Sequence, residues 1–314
     1  MSHLWLVIIC CLALGAVACT AELTLVKDGV PNAVIIVEAA PLAPADVKPD
    51  PKKPVPPSNN QRAARELQVY LEKMSGAKLQ IVEEGQPVEE ILPPVQILVG
   101  HTQAAAKLGV KIPSGFNTVI RPEYGEEEGY VLKTKGNALV VAGNNDGPYK
   151  GTLYAAYALL EKLGCRWYFP GAWGEVVPKR TTVTVPELDV TSRPDFAAAN
   201  LWLSGWVPVS AEERKIYAEW CDKIGFGRVP AYGSGGGDGS LARLLPPSEY
   251  AETHPEYYAM NKAGQRTVTP KSVVTSTMLC LSNPDVLTAV IERLKTKTFA
   301  DGKANGVGFS PPDG

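Results

Sequence analysis

Histidine is scarce in this chain, with three among 314 residues, and cysteine is little commoner, with six. No two cysteines stand in a C-x-x-C spacing, so a thiolate zinc site has no ligands to draw on and no metal is expected. Cys10 and Cys11 fall in the N-terminal apolar run. Cys165, Cys221 and Cys280 lie far apart in the body, as buried free thiols or as one bridge and one free thiol. Only His101 and His254 lie beyond the N-terminus, which leaves no credible Ser-His-Asp arrangement. Charge of one sign is lacking as well. Lys and Arg total 31 against 33 Asp and Glu, a net charge of -2, and no basic run offers a stripe that could follow phosphates. Nucleic-acid binding is therefore not expected. The apolar run from Leu4 to Ala18 falls short of the ~20 residues that a spanning helix requires.

That run has a different meaning. It ends in Ala16-Val17-Ala18, a small-x-small cleavage pattern directly before Cys19. Residues 1–21 are expected to be a signal peptide and the mature protein to be secreted or periplasmic. Ordinary cleavage is one outcome. Lipidation of Cys19 is the other, although Ala16 stands where a lipoprotein signal usually carries Leu. A membrane is expected as a partner only through that anchor.

A hydrophobic content of 45% with 20% charged residues describes a globular chain long enough for two domains. Leu23–Val26 and Ala33–Val37 read as short strands. The proline-dense Ala40–Asn60 segment reads as an extended surface loop. Ser58, Asn59 and Asn60 offer N-caps to a helix whose apolar face is Ala63, Leu67, Tyr70, Leu71 and Met74, stopped by Gly76. Leu79–Val82 and Val95–Val99 are buried-strand candidates, and Gly129–Thr134 with Ala138–Ala142 make a hairpin around Lys135-Gly136-Asn137. In GNNDGPYKGTLYAAYALLEKLGCRWYFPGAWG, from Gly143 to Gly174, Leu153, Ala156, Tyr157, Leu160 and Leu163 recur at helical spacing. Gly164 closes that helix, and an aromatic strand follows. The pattern predicts a mixed sheet covered by two helices. Asn144, Asn145 and Asp146 read as turn and cap residues.

Beyond Val183–Pro194 the rhythm becomes a repeating βα layout. Strand candidates are Asn200–Leu203, Arg228–Ala231, Tyr257–Met260 and Gly306–Phe309. Helices are expected over Ala211–Ile224 and from Ser282-Asn283-Pro284-Asp285 onward, the latter with Leu287, Val290, Ile291 and Leu294 as its buried stripe. That is about half of a closed eight-stranded barrel.

Three stretches carry a family likeness: the Gly143–Gly174 segment, Gln61–Leu67 with Met74-Ser75-Gly76-Ala77, and Ile97–Gly100. Together they resemble the small α/β accessory domain that precedes the catalytic barrel of α-glucuronidases and β-hexosaminidases. Leu244-Leu245-Pro246-Pro247, His254–Tyr258, Leu279–Pro284 and Ser310–Gly314 resemble a barrel-like domain of unknown function that follows this accessory domain in many secreted bacterial proteins. The resemblance implies an α/β fold: a mixed-sheet accessory domain over residues 22–190, then an incomplete (β/α)-barrel over 195–314. It makes carbohydrate the expected partner.

Asp313 follows a predicted barrel strand, at the end where such barrels place their chemistry, and is the candidate catalytic carboxyl; the alternative is an Asp-Gly turn. His254 and Glu256 in HPEYY would share one face of an extended chain and could orient a sugar hydroxyl, or else be a loop histidine and a solvated acid. Arg266 could grip a uronate carboxylate, or make a surface ion pair. Trp202 is expected to stack on a sugar ring, with Trp206, Tyr232, Tyr257 and Tyr258 near it. Gly233–Gly239 lacks the Lys-Ser/Thr of a phosphate loop and reads as a mobile loop over the barrel mouth, without the histidine usual in that family between this strand and Leu-Pro-Pro. The expectation is a protein of glycoside-hydrolase type acting on extracellular polysaccharide or oligosaccharide, without cofactor and with its catalytic half cut short. The alternative is a non-catalytic, exported polysaccharide-binding lipoprotein. Hydrolysis of a glycosidic bond requires two carboxyls, and only Asp313 is well placed.

Overall fold

The computed structural model describes residues 22–39, 57–87, 92–116, 127–196, 199–201, 209–228 and 240–300. The first half contains β1 (Leu23–Lys27), β2 (Val30–Pro31), β3 (Ala33–Val37), α1 (Asn59–Ser75), β4 (Ile81–Glu83), β5 (Val95–Val99), α2 (Gln103–Lys107), β6 (Tyr130–Lys135), β7 (Ala138–Gly143) and α3 (Gly151–Lys162). It continues with β8 (Arg166–Trp167), β9 (Glu175–Val176), β10 (Val183–Val185) and β11 (Asp189–Ser192).

Six strands form one mixed sheet in the order β11-β6-β7-β5-β3-β4. The pairs β3/β4, β3/β5 and β5/β7 are parallel, while β6/β7 and β11/β6 are antiparallel. Strand alternation sorts the apolar side chains. Ile35 and Val37 of β3, Ile97 and Val99 of β5, and Leu139 and Val141 of β7 join the core that includes the apolar faces of α1 and α3. Leu98, Val140 and Ala142 belong to a second core with Ala105 of α2. Because both faces are covered, β5 and β7 are near-continuous apolar runs rather than alternating ones. The expected hairpin is present, with Leu132 opposite Val141.

The helices form for local reasons that tertiary packing then exploits. Ser58 caps α1 through a capping box with Gln61, and Gly76 ends it with its N–H on Glu72 O. Ala63, Ala64, Leu67, Tyr70, Leu71 and Met74 are buried, each large one contributing about 1.5–3 kcal/mol of burial. In α3 nine of twelve residues are buried, since the helix lies between the sheet, α1 and a helix of the second half. Gly143 and Gly151 permit the close approach of β7 to α3. A Cβ on Gly143 would fall 2.6 Å from Gly151 O and 2.7 Å from Gly129 O.

The second half contains β12 (Ala199–Asn200), α4 (Ala211–Lys223), β13 (Gly227–Arg228), α5 (Ser240–Leu244), α6 (Pro247–Tyr250) and α7 (Pro284–Arg293). Helix α4 does not start a separate core. Its Trp220, with Ile224 after it, packs against the first core, and Trp220 Nε1 donates to Trp167 O at 3.0 Å. The remainder gathers Leu244, Leu245, Ala251, Tyr258, Leu279, Val286 and Val290 into a core of its own.

Two local expectations are corrected here, the strand over Tyr257–Met260 and the buried stripe of α7. Among the described residues this half has no parallel strand pair: β12 pairs β13 antiparallel, and Tyr258 meets Leu279 in an isolated antiparallel bridge. Pro255 opens a 3₁₀ turn over Pro255–Tyr257, because its fixed φ suits the first position of a helical turn, where an extended chain entering the strand was expected. On α7 the buried stripe is Val286 and Val290, with Ala289 and Leu294 packed beside them, whereas Leu287 is 64% and Ile291 42% exposed. Val290 and Leu294 face inward as expected, while Val286 and Ala289 take the places expected of Leu287 and Ile291, so the buried face is turned part of the way round the helix. The N-terminal apolar run, residues 40–56 of the proline-dense segment, the Gly233–Gly239 loop and Gly306–Phe309 lie outside the described residues.

Candidate functional site

His254, Glu256 and Arg266 converge although they do not lie on a strand. Tyr250 O accepts from His254 N at 2.7 Å, which ends the α6 turn, and Pro255 then reverses the chain. The reversal brings His254 Nδ1 to 3.0 Å from Glu256 Oε1. The imidazole stacks on Tyr257, centroids 4.5 Å apart and planes 8° off parallel, with Tyr250 next to both rings. Both members of the His–Glu contact are about half exposed, so a ligand can reach them.

Arg266 reaches the same place from the far side of a tight turn, where Asn261 N donates to Gln265 O at 2.9 Å. Its Nη1 donates to Tyr258 O. That leaves guanidinium donors over, since the group carries five. The Cys280–Asn283 segment closes the cluster. Cys280 N donates to Tyr257 O at 2.8 Å, Asn283 Nδ2 donates to Glu256 O at 3.2 Å, and Ser282 Oγ lies 3.4 Å from Cys280 Sγ. Beneath it Tyr258 is buried, its hydroxyl donating to Leu245 O at 2.9 Å and its phenol pushed up to about 12 by burial.

The electrostatics follow from these contacts. The Glu256 carboxyl is held below the usual range, first by its own backbone N–H and then by His254, with the charge of Arg266 adding to both. The Cys280 thiol is lowered by the Ser282 hydroxyl first and by Arg266 next. Here the ionised carboxylate can accept from one of two vicinal hydroxyls while the imidazole or the guanidinium donates to the other. Glu256 is poorly suited to giving up a proton as a general acid, for which a raised pKa serves. A groove of about 350 Å³ adjoins the cluster, lined by Tyr258, Asn261, Thr267, Ser272, Ser276 and Met278 among others. No group of three or more His, Cys, Asp or Glu among the described residues could hold a metal ion.

Trp202, Asp313 and Cys19 lie outside the described residues, as do Trp206 and Tyr232. Asn144 is fully buried, donates to Gly115 O and Glu127 O and accepts from Asp146 N, which is the turn role expected of it. The sequence reading missed the part played by Cys280, Ser282 and Asn283. Their stretch was legible only as a helix opening. It also passed over the exposed aromatic rings between β8 and β9. Tyr168, Phe169 and Trp173 are 62%, 52% and 77% exposed, where an aromatic strand suggested core.

Residues 169–313 match a family described as a domain of unknown function (DUF4838). No curated protein matches the chain. Among solved structures the chain is similar to a family GH115 4-O-methyl-α-glucuronidase, BtGH115A, with specificity for decorated arabinogalactans, at 13% identity and a TM-score of 0.40. That likeness covers 64% of this chain and 25% of the other, so the chain spans about a quarter of that protein.

Proposed function

We propose that this is an exported, carbohydrate-active protein of glycoside-hydrolase type that engages a polysaccharide or oligosaccharide at the His254–Glu256–Arg266 cluster. The observation that carries this is the convergence itself. An acceptor and an imidazole stand half exposed with a guanidinium that has donors to spare, and the neighbouring groove mixes the hydroxyl and amide groups of Asn261, Thr267, Ser272 and Ser276 with apolar Met260, Val268, Val273 and Met278. Such groups match the hydroxyls and carboxylates of sugars. In the hydrolytic reading Asp313 is the partner carboxyl, Trp202 a stacking ring, and the two carboxyls carry the reaction without a cofactor. The proposed division is a signal peptide over 1–21, an accessory domain over 22–190 and the barrel-like part over 195–314.

A second reading, an exported binder without catalysis and with Cys19 as a lipid anchor, is favoured by one observation. Among the described residues Glu256 is the only carboxylate that the cluster's hydrogen bonds hold, and its lowered pKa suits recognition rather than proton donation. One experiment separates the two. The chain is incubated with a chromogenic glucuronide, a chromogenic N-acetylhexosaminide and a glucuronoxylan, while turnover and binding are followed together. Turnover that Asp313→Asn abolishes supports the hydrolase. Binding without turnover, weakened about tenfold by Arg266→Ala, supports the binder. Neither binding nor turnover refutes the carbohydrate assignment.

A further inference from the structure

The loop between β8 and β9 carries two aromatic rings in an arrangement that the cluster above does not use. Phe169 and Trp173 are stacked, centroids 4.7 Å apart and planes 12° off parallel. Trp173 is nevertheless 77% exposed, so its outer face is open while Phe169 backs its inner face. A tryptophan left this bare in water forgoes most of its burial, roughly 2 kcal/mol or more of apolar transfer.

The loop that holds the pair is built rigidly. Trp167 opposite Glu175 and Arg166 opposite Val176 form a two-residue ladder at its base. Tyr168 N donates to Gly174 O at 2.8 Å, and Gly174 N to Gly171 O at 3.3 Å. Gly171 sits at φ 87, the left-handed region that favours glycine. Trp167, at the foot of the hairpin, is pinned in the core edge-on between Tyr70 and Tyr157, and its Nε1 donates to Tyr70 Oη at 2.8 Å. Tyr70 in turn donates to Glu175, so both ends of the loop are tied to α1. A flat ring on a fixed hairpin loses little freedom when something lies down on it.

We propose that Trp173, backed by Phe169, is a carbohydrate-stacking platform: a second binding site, in the first half of the chain, for a pyranose ring of a polysaccharide. It rests on the carbohydrate reading above. Two rings of ~200 Å² each, exposed to these extents, offer roughly 250 Å², enough for one or two sugar rings. That is about a third of the ~800 Å² per partner that a stable protein interface buries. Pro170, Gly171, Ala172 and Gly174 flank the ring along the chain with small side chains or none, which suits one flat ligand lying on one flat face. The axial C–H groups of a β-linked gluco- or galacto-configured unit present such a face.

The test is native affinity electrophoresis of the full chain in gels containing a soluble β-glucan or a glucuronoxylan, with sedimentation velocity alongside. Wild type is expected to be retarded by at least one polysaccharide. Trp173→Ala should weaken retardation about tenfold or more, and Trp173→Phe, which keeps a flat ring, by about two- to threefold. A thermal melt unchanged in Trp173→Ala confirms that the exposed ring has no structural task. Retardation that Arg266→Ala removes but Trp173→Ala leaves intact overturns this inference and leaves the proposed function standing. A wild-type chain retarded by neither polysaccharide overturns both. A wild-type dimer that Trp173→Ala turns into a monomer assigns the ring to self-contact and also overturns it.

Discussion

Replacing Asp222 by alanine should loosen α4 against the first half of the molecule. Asp222 is 5% exposed and lies near the C-terminal end of α4, with both carboxylate oxygens engaged across the boundary. Arg62 Nη2 of α1 lies at 2.9 Å from Oδ2, and Lys150 Nζ, just before α3, at 2.6 Å from Oδ1. Lys150 Nζ also reaches Gly227 O at 3.3 Å, so the same cation ties down the entry to β13. A buried ion pair adds little by itself, because desolvation offsets attraction. Removing one partner strands the other and costs about 3–5 kcal/mol. The side chains of Arg62 and Lys150 are 33% and 26% exposed and regain some water, which puts the expected cost near the low end, about 3 kcal/mol. For a chain of this size that lowers the melting temperature by about 4–6 °C. Trp220 and Ile224 keep their contacts, so α4 should loosen rather than leave, and its amides should exchange faster. Arg62→Ala combined with Asp222→Ala should cost less than the two separate losses added together, since the pair is already broken. Thermal melts at neutral pH with hydrogen exchange over residues 211–223 check this. A fall under about 2 °C with exchange unchanged would refute the latch.

Gly143→Ala should lower both the soluble yield and the melting temperature. Its Cβ would meet the backbone of Gly151 and Gly129, which cannot yield as a side chain can, and overpacking of that kind costs about 3 kcal/mol or more; soluble yield and circular dichroism check it. Glu66→Gln should raise the melting temperature at neutral pH. Burial lifts the Glu66 carboxyl above its ordinary value, against the pull of Lys223 and the Tyr157 hydroxyl, so the fold holds its proton more tightly than the unfolded chain does. Stability then falls as pH rises from the unfolded pKa, ~4.3, toward the higher folded one, and the advantage of Gln should vanish below pH ~4. A lower melting temperature than wild type at pH 7 would contradict the assignment.

Periodicity and end signals determined much of the first half by themselves. The Ser58 cap, the Leu153–Leu163 spacing and the apolar runs of β3, β5 and β7 each have one low-energy local answer, and packing agrees with it. The same signals opened α7 at Asn283 and Pro284. They failed where local preference is weak or where the partner is distant in sequence. Leu287 and Val286 are equally apolar, and only the position of α5 and α6 decides which of them faces inward. His254 and Glu256 were legible as a pair, but the contact is made by a Pro255 turn and not by strand alternation. Cys280 and Asn283 join them through hydrogen bonds spanning more than twenty residues, with Ser282 carried along beside Cys280, and no spacing rule encodes that. The Phe169–Trp173 stack depends on the Gly171 conformation and on the β8–β9 ladder, so sequence showed aromatic residues while the fold decided that they face water. Composition and period specify which segments form helices and strands, because those are short-range free energies. Long-range closure decides which faces meet, because its cost and its reward are paid only once the whole chain has folded.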